Sequence, residues 1–203
     1  IPMPQISWTN KNMKYAIFLA EGFEECEALI TNDILRRAKA ETDLISISDN
    51  LEVCSSHSVT VKADRLLSDT DLSAYDVLIL PGGKVGTENL GKSEELKAAV
   101  QLHSDRNRLL CAICAAPSIL GHMGILSGKH YTWFPGVERT SYNGIYENEL
   151  TVSDGNLITG RGMGATVDFA REILRHSALE QMIDKVDYGI QYAPRFRSLK
   201  KPQ

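Results

Sequence analysis

Three stretches of this chain are apolar at successive positions rather than at alternate ones: "KYAIFLA" from Lys14, "DVLILPGG" from Asp76 and "RLLCAICA" from Arg108. A strand with one wet face alternates apolar and polar residues, so continuous runs have no side to show to water. Helical patterns stand between them. "EECEALITNDILRRAKA" places Ile30, Ile34, Leu35 and Ala38 at helical spacing, and "SEELKAAVQLH" is a helix that Ser93 can cap. Pro117 suits the first turn of a helix after the third run. "DLISISD", "SVTVKA", "HYTWF" and "LTVSDGNLITG" read as further strands, the last split by a turn at Asp154-Gly155. A closing helix is expected from about Ala165 to Leu174, and another in "LEQMIDKV". Doubly buried strands alternating with helices predict one α/β domain of the open, doubly wound type: a mostly parallel sheet with helices on both faces. In such sheets, sites form where strands end, here at "AEGFEE", "PGG", "CAICAAP" and "TGRGMG".

The chain has 203 residues, 43% hydrophobic and 24% charged, which is enough for one domain with a full core. We expect that domain over residues 13–188. The flanks are read as an N-terminal tail or tag remnant (1–12) and a basic C-terminal tail (189–203). A net charge of −4 gives no nucleic-acid-binding patch and no attraction to a membrane surface. No apolar run approaches the roughly 20 residues of a membrane span. Four cysteines without a secretory pattern point to reduced thiols and a cytoplasmic location.

Cys111 and Cys114 are spaced as a Cys-x-x-Cys pair. A redox pair needs both sulfurs near the first turn of a helix. Cys111 instead lies within an apolar strand, and alternation sends the two side chains to opposite faces. Cys111 therefore reads as core. A metal site is not expected, because no second ligand pair completes it. Cys114 stands where the strand ends, flanked by Ala112 and Ala116, a small-x-nucleophile-x-small pattern that fits a tight strand-to-helix elbow. The pattern alone fits a packed thiol as well as a nucleophile made acidic by a helix N-terminus.

Other residues bear on that choice. Gly82 and Gly83 end a neighbouring strand with backbone N–H groups that, like that of Ala115, can hold an oxyanion. Glu24 and Glu25 suit the positive end of a helix dipole. Glu27 falls on the inward stripe with Ile30 and Ile34, where a carboxylate is costly unless protonated or paired.

In order and spacing, "AEGFEECEALITNDILRRA", "YDVLILPGG", "ENL", "CAICAAPSIL" and "TGRGMGATVDFA" resemble the DJ-1/ThiJ/PfpI superfamily, in the branch of the parkinsonism-associated protein. The resemblance runs from Lys14 to about Val186. It implies a flavodoxin-like α/β/α sandwich that forms a homodimer, with a reactive elbow cysteine at Cys114, a glutamate bonded to that sulfur at Glu27, and an anion pocket at Gly83 and Ala115. With those two residues, Cys114 and Glu27, in contact, we expect them to share one proton, held on Glu27, so that the sulfur is a thiolate. It further implies a cofactor-free glyoxalase or deglycase acting on methylglyoxal, glyoxal or their early adducts. The alternative it carries is a redox sensor or chaperone working through oxidation of Cys114. One departure stands out: Phe134 occupies the position of a family histidine, and Ala115 that of another. A Cys–His pair activates thiols for amide attack, so its absence argues against a peptidase and leaves Glu27 as sole acid/base. Arg161 matches a family arginine near the pocket and dimer face, and reads equally well as a structural ion pair. The glycines at 160, 162 and 164 precede a terminal helix with no strand after it, so no nucleotide cofactor is expected.

Overall fold

The computed structural model describes residues 13–137 and 141–192. The expected N-terminal tail, and the chain from residue 193 onward, lie outside the described residues. In chain order the elements are β1 (Lys14–Leu19), α1 (Glu25–Arg37), β2 (Glu41–Ser46), β3 (Glu52–Cys54), β4 (Thr60–Lys62), β5 (Arg65–Leu66) and β6 (Val77–Leu80). Then come α2 (Lys84–Lys92), α3 (Glu94–Asp105), β7 (Leu109–Ile113), α4 (Pro117–His122), β8 (His130–Tyr131) and β9 (Ile145–Tyr146). β10 (Thr151–Asp154), β11 (Leu157–Gly160), α5 (Thr166–Arg175) and α6 (Ile183–Ile190) complete the domain.

Seven strands form the central sheet in the order β10-β11-β7-β6-β1-β2-β5. All neighbours are parallel except β10 and β11, which form an antiparallel hairpin. The three continuous runs are its three central strands β1, β6 and β7, as burial on both faces demands. Tyr15, Ile17 and Leu19 enter the layer beneath α1, α5 and α6, with Phe169, Ile173 and Val186. Ala16 and Phe18 enter the opposite layer, with Leu90 of α2, Leu96 and Val100 of α3, and Leu120 of α4. Each such fully buried large side chain contributes about 1.5–3 kcal/mol relative to exposure.

Three features depart from expectation. Helix α2 arises from "KVGTENLGK", whose glycines hide its pattern; Gly86 packs so closely on the loop before α1 that a Cβ there would lie 2.6 Å from Phe23 Cα. "HYTWF" forms strand only at His130–Tyr131, paired with β9 in a separate ribbon. Beyond it the Thr132 N–H donates to the Thr159 side-chain oxygen at 2.9 Å, outside any ladder. The ordered fold also passes the expected boundary at 188. Arg171 on α5 donates twice to Asp187, each at 2.9 Å, and its guanidinium lies 5.2 Å from the Tyr192 ring centre. Among the described residues, no helix is long and apolar enough to cross a membrane.

Candidate active site

β1, β6 and β7 end side by side, and their following loops converge on Cys114. Its backbone has φ of +63°, a left-handed conformation rare outside glycine. Three hydrogen bonds hold that turn. The Cys114 N–H donates to Gly160 O at 2.9 Å, the Cys114 carbonyl accepts from the Phe134 N–H at 2.8 Å, and the Ala116 N–H closes back on Ile113 O at 3.1 Å. Ala112 and Ala116 are fully buried, as the small flanks of an elbow require.

The turn corrects two expectations. Alternation along β7 sends Cys114 away from Cys111, yet both sulfurs serve the layer under α1, because the left-handed residue swings the side chain back. Helix α4 begins only at Pro117, which occupies its first turn, and Ala116 is its cap. The sulfur therefore does not sit on that helix N-terminus. The pull on its proton comes instead from the N–H groups of Gly83 and Ala115, which bond to the sulfur.

Glu27 reaches the sulfur from α1. Glu24 caps that helix, its side chain accepting from the Glu27 N–H at 2.7 Å, while Glu25 pairs with His57 at 2.8 Å. Glu27 itself is 1% exposed. Its Oε2 accepts from the Gly82 N–H at 2.7 Å. Its Oε1 is buried with no hydrogen-bond partner, and the neighbouring Cys114 thiol lowers the carboxyl pKa. This corrects the expectation for Gly82: its N–H is committed to Glu27 and is not a free oxyanion donor. The N–H groups of Gly83 and Ala115 act on the Cys114 sulfur instead. Gly83 has φ of +88°, and a Cβ there would meet Gly22 O at 2.4 Å, so only glycine fits.

Burial pushes the Glu27 carboxyl up to about 7, against the lowering effect of the Gly82 N–H. Burial and then the Glu27 charge push the Cys114 thiol up to about 12, while the Gly83 and Ala115 N–H groups pull it down. Taken one at a time, these pushes leave the proton on sulfur once Glu27 ionises, the reverse of the expected placement. The orphaned Oε1 argues the other way. A buried carboxylate oxygen without a donor is costly, whereas a carboxyl O–H there donates to sulfur. Cys111 is driven up by burial alone and is inert core.

The remaining candidates lie around this pair. Phe134 stands beside the elbow with its side chain half exposed and its N–H on the Cys114 carbonyl. The Arg161 guanidinium donates to Asn148 Oδ1, and its N–H to Leu150 O at 2.9 Å, a structural tie rather than an ion pair. His130 is exposed on the ribbon, 2.7 Å from Glu147. Among the described residues, only Glu24, Glu25 and His57 bring ligand atoms close enough to share a cation, and Glu24 already caps α1. Sequence reasoning missed Gly22, Gly86 and Gly160. The first two bring the loop before α1 against the glycine turn, and the third supplies the carbonyl that anchors Cys114. Only the clustering of glycines beyond strand ends hinted at them.

Residues 13–176 match the DJ-1/PfpI family. The chain belongs to that family. Its DJ-1 relatives include the dj-1beta protein of Drosophila melanogaster, 32% identical over 176 residues, 86% of this chain and 94% of the relative. The Parkinson disease protein 7 homolog of Danio rerio is 35% identical over 162 residues, 78% of this chain and 86% of the relative. The DJ-1 homolog B of Arabidopsis thaliana is 35% identical over 84% of this chain, which spans only 39% of that longer protein. Among solved structures, a mutant DJ-1 superfamily protein from Salmonella typhimurium superposes with a TM-score of 0.84 at 33% identity, covering 89% of this chain and 99% of its own. Drosophila melanogaster DJ-1beta has the same TM-score at 32% identity, with 89% and 98% covered. The doubly wound, mostly parallel sheet expected from the strand pattern is the observed one, and the DJ-1 fold is the one the resemblance implied.

Proposed function

We propose that this DJ-1 family protein is a cofactor-free glyoxalase, with deglycase action on early adducts of the same aldehydes, serving the response to carbonyl and oxidative stress. One observation carries the reading. A fully buried carboxyl with an unpartnered oxygen faces a cysteine held in left-handed backbone beside two N–H donors.

The chemistry follows from those positions. With the shared proton on Glu27, the Cys114 sulfur adds to the aldehyde carbon of methylglyoxal, forming an S–C bond. The aldehyde oxygen takes the proton from Glu27 to give a hemithioacetal, leaving Glu27 ionised, and the N–H groups of Gly83 and Ala115 stabilise the developing oxyanion. The ionised Glu27 then takes the proton from that carbon, passing through an enediol, and a proton is returned to the adjacent carbonyl carbon. The product is a thioester of lactate. Water breaks its S–C bond, releasing lactate and restoring the shared proton of the pair. The former aldehyde carbon is oxidised as the neighbouring carbon is reduced, so no external oxidant or reductant is consumed.

The test is lactate formation from methylglyoxal by purified, chelator-treated protein. Cys114→Ala abolishes turnover, and Glu27→Ala lowers it by at least about 100-fold, as loss of an acid/base group does. Cys111→Ala keeps turnover with some loss of stability. Equal loss in the Cys111 and Cys114 variants overturns the reading. So does a wild type that makes no lactate; preferential peroxide oxidation of Cys114 in that protein favours the redox-sensor alternative.

A further inference from the structure

Seven large apolar side chains among the described residues are exposed, and four of them stand on segments that meet at the elbow. Phe134 is 52% exposed, with its N–H on the Cys114 carbonyl. A Cβ on Gly162 would lie 3.4 Å from the Phe134 ring, and exposed Met163 follows directly. Leu150 holds the neighbouring Arg161 N–H through its carbonyl, and Val85 lies in the first turn after Gly83. Scattered exposed apolar residues are ordinary; a group of them around one reactive atom marks a recognition surface.

The site fixes how a substrate enters. Its aldehyde carbon must reach the sulfur, its oxygen must reach the Gly83 and Ala115 N–H groups, and Glu27 fills the buried side. The rest of the molecule must therefore point outward, past Phe134 and Met163. Among the described residues, two nearby cations are already engaged. The Arg161 guanidinium is bound to Asn148, and His130 to Glu147. Lys84, next to Gly83, is an exposed cation on a flexible stem.

We propose that Phe134 is a specificity-determining residue, whose ring, with Met163, selects 2-oxoaldehydes carrying an aryl or branched alkyl group over glyoxal and over anionic aldehydes. The proposal rests on the reading of Cys114 as the nucleophile of such aldehydes.

Two measurements test it on wild type, Phe134→Ala and Phe134→Leu. The side chain is half exposed and the hydrogen bonds of Phe134 are made by its backbone N–H and carbonyl, so these variants keep the elbow. The first is kcat/KM for phenylglyoxal, methylglyoxal, glyoxal and the anionic 2-oxoaldehyde 4,5-dioxovalerate. The phenylglyoxal-to-methylglyoxal ratio falls about threefold to tenfold in Phe134→Ala, the worth of one aromatic contact, and is largely kept in Phe134→Leu. Glyoxal and 4,5-dioxovalerate are poorer substrates than phenylglyoxal. The second is the rate of Cys114 alkylation by N-benzyl iodoacetamide relative to iodoacetamide, which needs no turnover and falls in the same direction. If no aldehyde is turned over but the alkylation ratio falls, the catalytic reading fails and the apolar wall stands. Alkylation ratios unchanged by Phe134→Ala overturn the proposal, as does a preference for 4,5-dioxovalerate that Lys84→Ala abolishes.

Discussion

Cys114 adopts a backbone conformation that costs an L-residue of order 1–3 kcal/mol, and the bonds to Gly160 and Phe134 offset that strain. Gly82 is equally constrained, for a different reason. Its φ is not left-handed, yet a Cβ there would lie 2.7 Å from both Cys114 Cβ and Glu27 Oε2. We therefore expect Gly82→Ala to retain the fold by circular dichroism while lowering methylglyoxal turnover on the order of 100-fold, as misplacement by about an ångström does. Turnover near the wild-type level shows that the Cys114–Glu27 contact tolerates displacement. Small flanks made Cys114 legible as an elbow, and the stripe through Ile30 and Ile34 made Glu27 legible as a buried acid. The division of labour between Gly82 and Gly83 was not legible. The two are identical in type, and only their backbone directions decide which N–H meets the carboxyl and which the sulfur.

Elements announce themselves in sequence when one force dominates their formation. β1, β6 and β7 are continuous apolar runs, and α3 starts where Ser93 accepts from the Leu96 N–H at 3.2 Å. Helix α2 has neither signal. It lacks a side-chain cap, and its glycines weaken helix propensity. It forms because Gly86 can approach Phe23, a long-range contact that no local pattern records. The shortness of β8 has a similar origin. The chain after Tyr131 leaves its ladder so that Phe134 can donate to Cys114, and tertiary demand overrides the strand propensity of Thr132 and Trp133. The docking of α6 was not legible either, because the bond between Arg171 and Asp187 joins two helices that sequence presents as separate segments.

Across the whole molecule, Glu27 couples the site to stability. An acid whose folded pKa is raised from 4.5 to about 7 binds its proton more tightly in the native than in the unfolded state. Stability therefore falls as pH rises through that window, by roughly 3 kcal/mol in all. Glu27→Gln removes the ionisation, so its urea midpoint changes less than that of wild type between pH 5 and pH 8, and it is the more stable protein at pH 8. Buried His103, whose pKa is lowered by desolvation, has the opposite sign, losing stability as pH falls below 6.5. It is common to both proteins and cancels in the difference. Parallel slopes in the two proteins show that Glu27 is ionised without penalty. The sheet order has a further consequence, in time rather than in energy. Ile17 pairs with Ile79, and Ile113 with Gly160, so the strands beneath the site join distant parts of the chain, the kind of pairing that forms slowly. The Gly160 carbonyl reaches Cys114 only after β11 has docked. Until then Cys114 is an ordinary cysteine. Its alkylation rate during refolding should change with the slowest phase, and an earlier change would mean that the elbow precedes the sheet. The thiol is thus a clock for its own chain: a nascent copy gives this sulfur its native surroundings only when β11 arrives.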